Sequence, residues 1–205
     1  MICNSSDKEV KEEPTAKEAE DSEDEDGALI GLCTDINEES MKEIVLSLLT
    51  LNGGKILPDD DDDDDDDPQD IEFFISSNGG SVNDMFAIYD VMELVKNNRD
   101  IATFGYGRVA SAAVVLLAGG TKGKRHIAKN ARLMIHHCSS DLGGSHPTIR
   151  SSFAELKKVE AMMIQALAEN SELSVGEYYN IFSKNTDEYF SAEEALEMGL
   201  VDKII

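Results

Sequence analysis

A hydroxyl, an imidazole and a carboxylate can together hydrolyse an acyl bond: the hydroxyl attacks, the imidazole takes and returns its proton, and the carboxylate orients the imidazole. Ser111, His136 and Asp187 offer such a set in the C-terminal half of this 205-residue chain. Ser111 stands in Gly107-Arg108-Val109-Ala110-Ser111-Ala112, where a glycine turn opens into an apolar helix. Its hydroxyl is therefore expected among the unpaired N–H groups of a helix N-terminus, which suits a nucleophile whose transition state carries an oxyanion. A serine in that position is most commonly a plain N-cap. His136 ends a buried strand, where a histidine is more commonly a satisfied core residue, and Asp187 precedes a capped helix, where a surface turn is the ordinary role. The order Ser, His, Asp is admissible, because geometry defines a triad. Spacing by itself does not single these three out.

Other chemistries fit the chain less well. Cys3, Cys33 and Cys138 are odd in number and far apart, with no C-x-x-C pair for zinc or disulfide exchange. They read as reduced structural thiols of a cytosolic compartment. Gly119-Gly120-Thr121-Lys122-Gly123-Lys124-Arg125 resembles a phosphate loop only in part, because Ala118 replaces the first glycine and Arg125 stands where Ser or Thr should hold magnesium. The run Asp59 to Asp67 lacks the glycine and glutamate of a calcium loop and reads as a solvated charge run. No metal and no cofactor of the chain's own is expected.

Elements to position the three residues follow from hydrophobic periodicity. Ala28 to Cys33 is predicted as a strand, and Asn37 to Leu51 as a helix capped by Asp35 or Asn37. Ile71 to Ser76 reads as a buried strand followed by the turn Ser77-Asn78-Gly79-Gly80-Ser81, then a helix from Asp84 to Val95. A second unit has a strand at Ile101 to Gly105, a turn at Gly107 and a helix from about Ser111 to Ala118. Ala131 to His136 forms a third strand. Thr148 to Asn170 makes a long amphipathic helix whose stripe (Ile149, Phe153, Leu156, Val159, Met163, Leu167) can pack within the chain or on another subunit. Val175 to Phe182 is helical, Ser191 and Glu194 form a capping box, and Val201 to Ile205 is strand-like. Strand, glycine turn and helix in repetition imply a parallel α/β core.

The charge is unevenly placed. Of the formal net charge of -24, residues 1 to 27 carry -8 and the nine aspartates -9. The first segment lacks large apolar side chains and reads as a disordered acidic tail; residues 53–68 read as an acidic loop inserted in a domain spanning 28–205. A nucleic-acid footprint of clustered Lys and Arg is absent from the sequence. The longest apolar stretch, Val109 to Gly120, is far short of the about twenty residues that cross a bilayer. The acidic, polar start is unlike a signal peptide. A soluble cytoplasmic protein is expected.

Five ordered blocks carry a resemblance that selects among the candidates: Ser76-Ser77-Asn78-Gly79-Gly80-Ser81-Val82, Gly107 to Ser111, Leu116 to Arg125, Met134-Ile135-His136, and Phe190 to Asp202. They resemble successive signatures of ClpP, the proteolytic subunits of Clp proteases, and the similarity extends from about Ala28 to Ile205. The resemblance implies a crotonase-like α/β fold of repeated β-β-α units, with Thr148 to Asn170 as a protruding handle helix. It implies Ser111 as nucleophile, His136 as general base, Asp187 as the orienting acid, and the backbone N–H groups of Gly80 and Ala112 as oxyanion donors. Asn185 is the competing acid position if the local alignment slips by two.

The implied activity is that of an ATP-dependent Clp-type serine endopeptidase. Its subunits would self-associate into stacked heptameric rings, take unfolded polypeptide from an AAA+ unfoldase that consumes the ATP, and cut short peptides unaided. Two departures stand out: the family's S-P-G-G is Ser77-Asn78-Gly79-Gly80, and its H-Q-P is His136-His137-Cys138, which makes His137 a decoy base. A non-catalytic ring subunit would usually have lost a triad residue, and Ser111 and His136 are both present. A crotonase-type acyl-CoA enzyme would share the fold without needing these blocks.

Overall fold

A computed structural model of the chain describes residues 28–54, 69–141, 143–184 and 186–205. The expected acidic tail, most of the nine-aspartate insertion and the alternative acid Asn185 lie outside those residues. The described elements run β1 (Ala28–Leu32), α1 (Glu38–Leu51), β2 (Ile71–Ser77), α2 (Val82–Val95), β3 (Ile101–Ala110), α3 (Ala112–Ala118), β4 (Arg125–Ile127), β5 (Arg132–Ile135), α4 (His146–Glu169), α5 (Val175–Phe182), β6 (Glu188–Phe190), α6 (Ala192–Glu197) and β7 (Lys203–Ile204). Strands β1-β2-β3-β4-β7 lie side by side and parallel, β5 pairs with β3, and β6 runs antiparallel to β5. This is the α/β architecture that the strand and helix rhythm predicts.

Side-chain alternation decides the two faces of the sheet. In β2, Ile71, Phe73 and Ile75 are buried against the helices, while Phe74 faces the other way. There it stacks between Phe104 and Tyr106 of β3, at 4.9 and 5.6 Å between ring centres, and His126 of β4 stacks on Phe104 at 4.7 Å. The strand at 71–77 is thus half-buried rather than buried on both faces. All seven residues of α3 are buried, as suits a helix apolar all round. The core closes around it with Leu48, Met85, Ile88, Met92 and Tyr178, each fully buried.

Helix starts follow local polar chemistry. Asn37, rather than Asp35, caps α1 in a capping box with Ser40, and Ser191 and Glu194 form the expected box on α6. Helix α2 begins two residues before the expected Asp84 because Ser81 caps it. Likewise α4 begins at His146, ahead of the expected Thr148, because Ser145 accepts the Thr148 N–H and Pro147 suits a first turn. Its apolar stripe divides: Met163 and Leu167 enter the core, while Ile149 and Phe153 are exposed.

Three differences from the sequence reading concern the strands. The chain does not turn out of the sheet at Gly107; β3 continues to Ala110, pairing with β4 through Thr103–Gly105 and with β5 through Arg108–Ala110. The third strand is shorter than expected and stops at Ile135, so His136 lies just beyond it. Strands β4 and β6 have three residues each, too short for any periodicity to register, and exist through their partners.

Candidate active site

Ser111 lies where β3 passes into α3. Its φ of +56° and ψ of -127° make it the only non-glycine residue of positive φ among the described residues. Its side chain makes no capping hydrogen bond. Ser111 therefore does not act as a side-chain N-cap, and a non-glycine residue held in this backbone region costs on the order of 1–3 kcal/mol. The Ser111 N–H donates to the Met134 carbonyl at 2.7 Å, fixing the bend to β5.

The hydroxyl points at His136. His136 Nε2 lies 2.8 Å from Ser111 Oγ, a hydrogen bond whose direction depends on the imidazole tautomer. His136 is half-buried, whereas His137 is exposed, as expected for adjacent residues at a strand end. On the other side of the ring, His136 Nδ1 stands 3.6 Å from Asp187 Oδ1. That is ion-pair range and longer than a hydrogen bond. Asp187 is about half exposed, and its other oxygen accepts a hydrogen bond from the Tyr189 hydroxyl at 3.3 Å.

What brings Asp187 there is β6. The antiparallel register pairs Leu133 with Phe190, Met134 with Tyr189 and Ile135 with Glu188, so the next step of the ladder sets His136 opposite Asp187. A three-residue strand that periodicity misses therefore carries the third residue to the site.

The turn at 77–81 packs against Ser111. A Cβ on Gly79, where φ is +89°, would come within 2.6 Å of the Ala110 carbonyl and 2.8 Å of Ser111 Cβ. Gly80 has φ of +148°, and a Cβ there would overlap the Ile36 backbone carbonyl. Glycine at Gly80 is thus required by Ile36, in addition to any approach by a substrate. In the parallel bridge between Ile36 and Gly80 the hydrogen bonds run from the Ile36 N–H to the Gly79 carbonyl (2.8 Å) and from the Ser81 N–H to the Ile36 carbonyl (2.9 Å). The N–H of Gly80 itself therefore turns to the opposite side. Ala112 opens α3, so its N–H has no acceptor within the helix. The missing proline at position 78 is offset by side chains: Ser77 Oγ accepts the Gly79 N–H at 3.1 Å, and Asn78 donates to Asp35 at 3.2 Å.

A cleft of about 640 Å³ opens over this group, with Gly80, Ser111 and His136 on its floor and Leu156 and Val159 of α4 on one wall. The wall residues belong to the amphipathic stripe, but nothing in their spacing announced that they line a site. Among the described residues no cluster of His, Cys, Asp or Glu is arranged to hold a metal ion.

The family model described as Clp protease matches residues 25–205. The chain belongs to the Clp protease family. Among related proteins, it is 36% identical over 137 residues to the ATP-dependent Clp protease proteolytic subunit 2 of Bifidobacterium longum, covering 67% of this chain and 64% of that one. It is 40% identical over 139 residues to the subunit of the same name from Corynebacterium glutamicum, covering 67% and 66%. With the proteolytic subunit 3 of Frankia casuarinae it shares 35% identity over 177 residues, covering 86% and 76%. The chain thus spans slightly less than two thirds of the first two relatives and more of the third. His137 and Cys138 stand where the resemblance led to Gln-Pro after His136, and Cys138 supplies a backbone N–H that proline lacks.

Proposed function

We propose that the chain is a serine endopeptidase subunit of a Clp-type ATP-dependent protease, with Ser111 as nucleophile, His136 as general base and Asp187 as the group that orients it. The observation that carries this reading is the 2.8 Å contact between His136 Nε2 and Ser111 Oγ at the floor of an open cleft. Ser111 Oγ attacks the scissile carbonyl as His136 Nε2 takes its proton. The N–H groups of Gly80 and Ala112 stabilise the oxyanion that results. His136 then gives the proton to the leaving amine, which departs and leaves an acyl-enzyme on Ser111; water, deprotonated by the same imidazole, releases the acid. The 3.6 Å gap to Asp187 closes by a small rotation of an exposed side chain, as catalytic contacts commonly tighten on substrate binding.

Residues 28–205 act as the peptidase domain, with 1–27 and 53–68 as acidic appendages. The chain needs no cofactor or metal of its own. Its substrates are unfolded polypeptides delivered by an AAA+ unfoldase that hydrolyses the ATP, and short peptides without it. Self-association into stacked heptameric rings is supported by apolar surface left open on a single chain: Ile149, Phe153 and Met162 on α4, and Leu29 and Tyr106 on the sheet. The working compartment is the cytoplasm; among the described residues no helix is long and apolar enough to cross a membrane. The test is hydrolysis of a fluorogenic peptide by Ser111→Ala, His136→Ala and His137→Ala. The first two are expected to lose activity and the third to retain it; an active Ser111→Ala protein overturns the reading.

A further inference from the structure

We propose that Glu160 is a positioning residue for the base, acting through the backbone of Cys138. The inference rests on the reading of Ser111 and His136 given above. Upstream of His136, β5 is held on both edges, by β3 through Met134 and by β6 through Ile135. Downstream, the first fixed point is Cys138, whose N–H donates to Glu160 Oε2 at 2.8 Å and whose thiol lies 3.6 Å from Met163 Sδ. Glu160 and Met163 are three residues apart and so share one face of α4. Met163 is anchored in the core, at 2% exposure. Beyond Cys138, Ser139, Ser140 and Asp141 are exposed and belong to no helix or strand.

The imidazole therefore hangs on a short span pinned at both ends, and Glu160 supplies the downstream pin. An ionised acceptor makes this a charge-assisted bond, stronger than a neutral one. The helix that carries Glu160 also carries Leu156 and Val159, so one element sets both the cleft wall and the backbone next to the base. Glu160 is absent from the cleft lining, so its effect is on the aim of His136 rather than on substrate contact.

The test compares the full-length wild type with Glu160→Gln, Glu160→Ala and Glu160→Met in steady-state cleavage of a fluorogenic peptide and in acylation of Ser111 by a fluorophosphonate. Misplacing a catalytic group by about 1 Å costs up to about a hundredfold in rate. Glu160→Ala is expected to lose at least about tenfold in kcat and in acylation rate, with little change in KM. Glu160→Met, which keeps the bulk without the acceptor, is expected to match it, and serves alone if the alanine variant does not fold. Glu160→Gln should recover most of the rate, since its amide oxygen can accept the same N–H. Wild-type kcat in the alanine or methionine variant overturns the proposal, as does a loss confined to KM or a glutamine variant as slow as alanine. A wild type that neither acylates nor cleaves instead overturns the reading of Ser111, a result distinct from any of these.

Discussion

At the scale of single residues, Ser111 combines two properties that an ordinary helix-capping serine would not: a hydroxyl bonded to an imidazole and a backbone of φ +56°. The second gives a measurement independent of activity. Ser111→Gly relieves the strain while Ser111→Ala does not, so by urea denaturation the glycine variant should be more stable than the alanine variant by about 1 kcal/mol. Both should be inactive. Equal stabilities would mean that the bend is held without strain. The carboxylate gives a second expectation. Asp187→Ala should lower peptide turnover by on the order of a hundredfold or more, because in the proposed mechanism it removes the group that aims the imidazole and stabilises its cation. Asn185→Ala should stay close to wild type. The reverse ranking would transfer the orienting role to Asn185.

At the scale of elements, the site depends on joints between strands and helices that are far apart in sequence. The C-terminal strand is fastened by Arg125, which is 4% exposed and donates to both carboxylate oxygens of Asp202, at 2.6 and 2.8 Å. Arg125 also donates to the Asn170 carbonyl at the end of α4. Burial pushes the Asp202 carboxyl up, but the Arg125 guanidinium and backbone N–H outweigh it and hold the group below its usual range. A carboxyl depressed in the folded state contributes stability above its unfolded pKa and loses it as pH falls through the folded value. Asp202→Ala should therefore destabilise the protein by about 3 kcal/mol at neutral pH by leaving a buried guanidinium unpaired. The gap from wild type should narrow below about pH 4. A pH-independent gap would show that packing rather than charge is lost. The helices of this frame were legible because capping residues and apolar stripes are local signals, as at Asn37 and Ser191. The hydroxyl–imidazole pair was legible only through ordered motifs. The β6 register that carries Asp187 to His136, the partner exchange along β3 and the tie from Glu160 to Cys138 were not, because each is set by contacts between distant segments rather than by any local pattern.

At the scale of the whole molecule, most of the net charge and the exposed apolar side chains of α4 fall on different stretches of the sequence. Residues 1–27 and the nine aspartates hold most of the net charge of -24, whereas the described α4 surface presents Ile149, Phe153 and Met162. Like charges on neighbouring chains repel, so the acidic segments should oppose non-specific association without contributing to the fold. A protein beginning near Ala28, with the aspartates replaced by a short Gly/Ser loop, is expected to assemble in analytical ultracentrifugation and to cleave a small peptide at the full-length rate. Failure to assemble would assign one of these segments to the subunit interface.

The most direct measurement is the site of covalent capture. The intact protein should react with a fluorophosphonate, and peptide mapping should find a single adduct on Ser111 that disappears in His136→Ala and persists in His137→Ala. An adduct on another serine, or labelling undiminished in His136→Ala, would contradict the assignment of Ser111 and His136 as a nucleophile and its base.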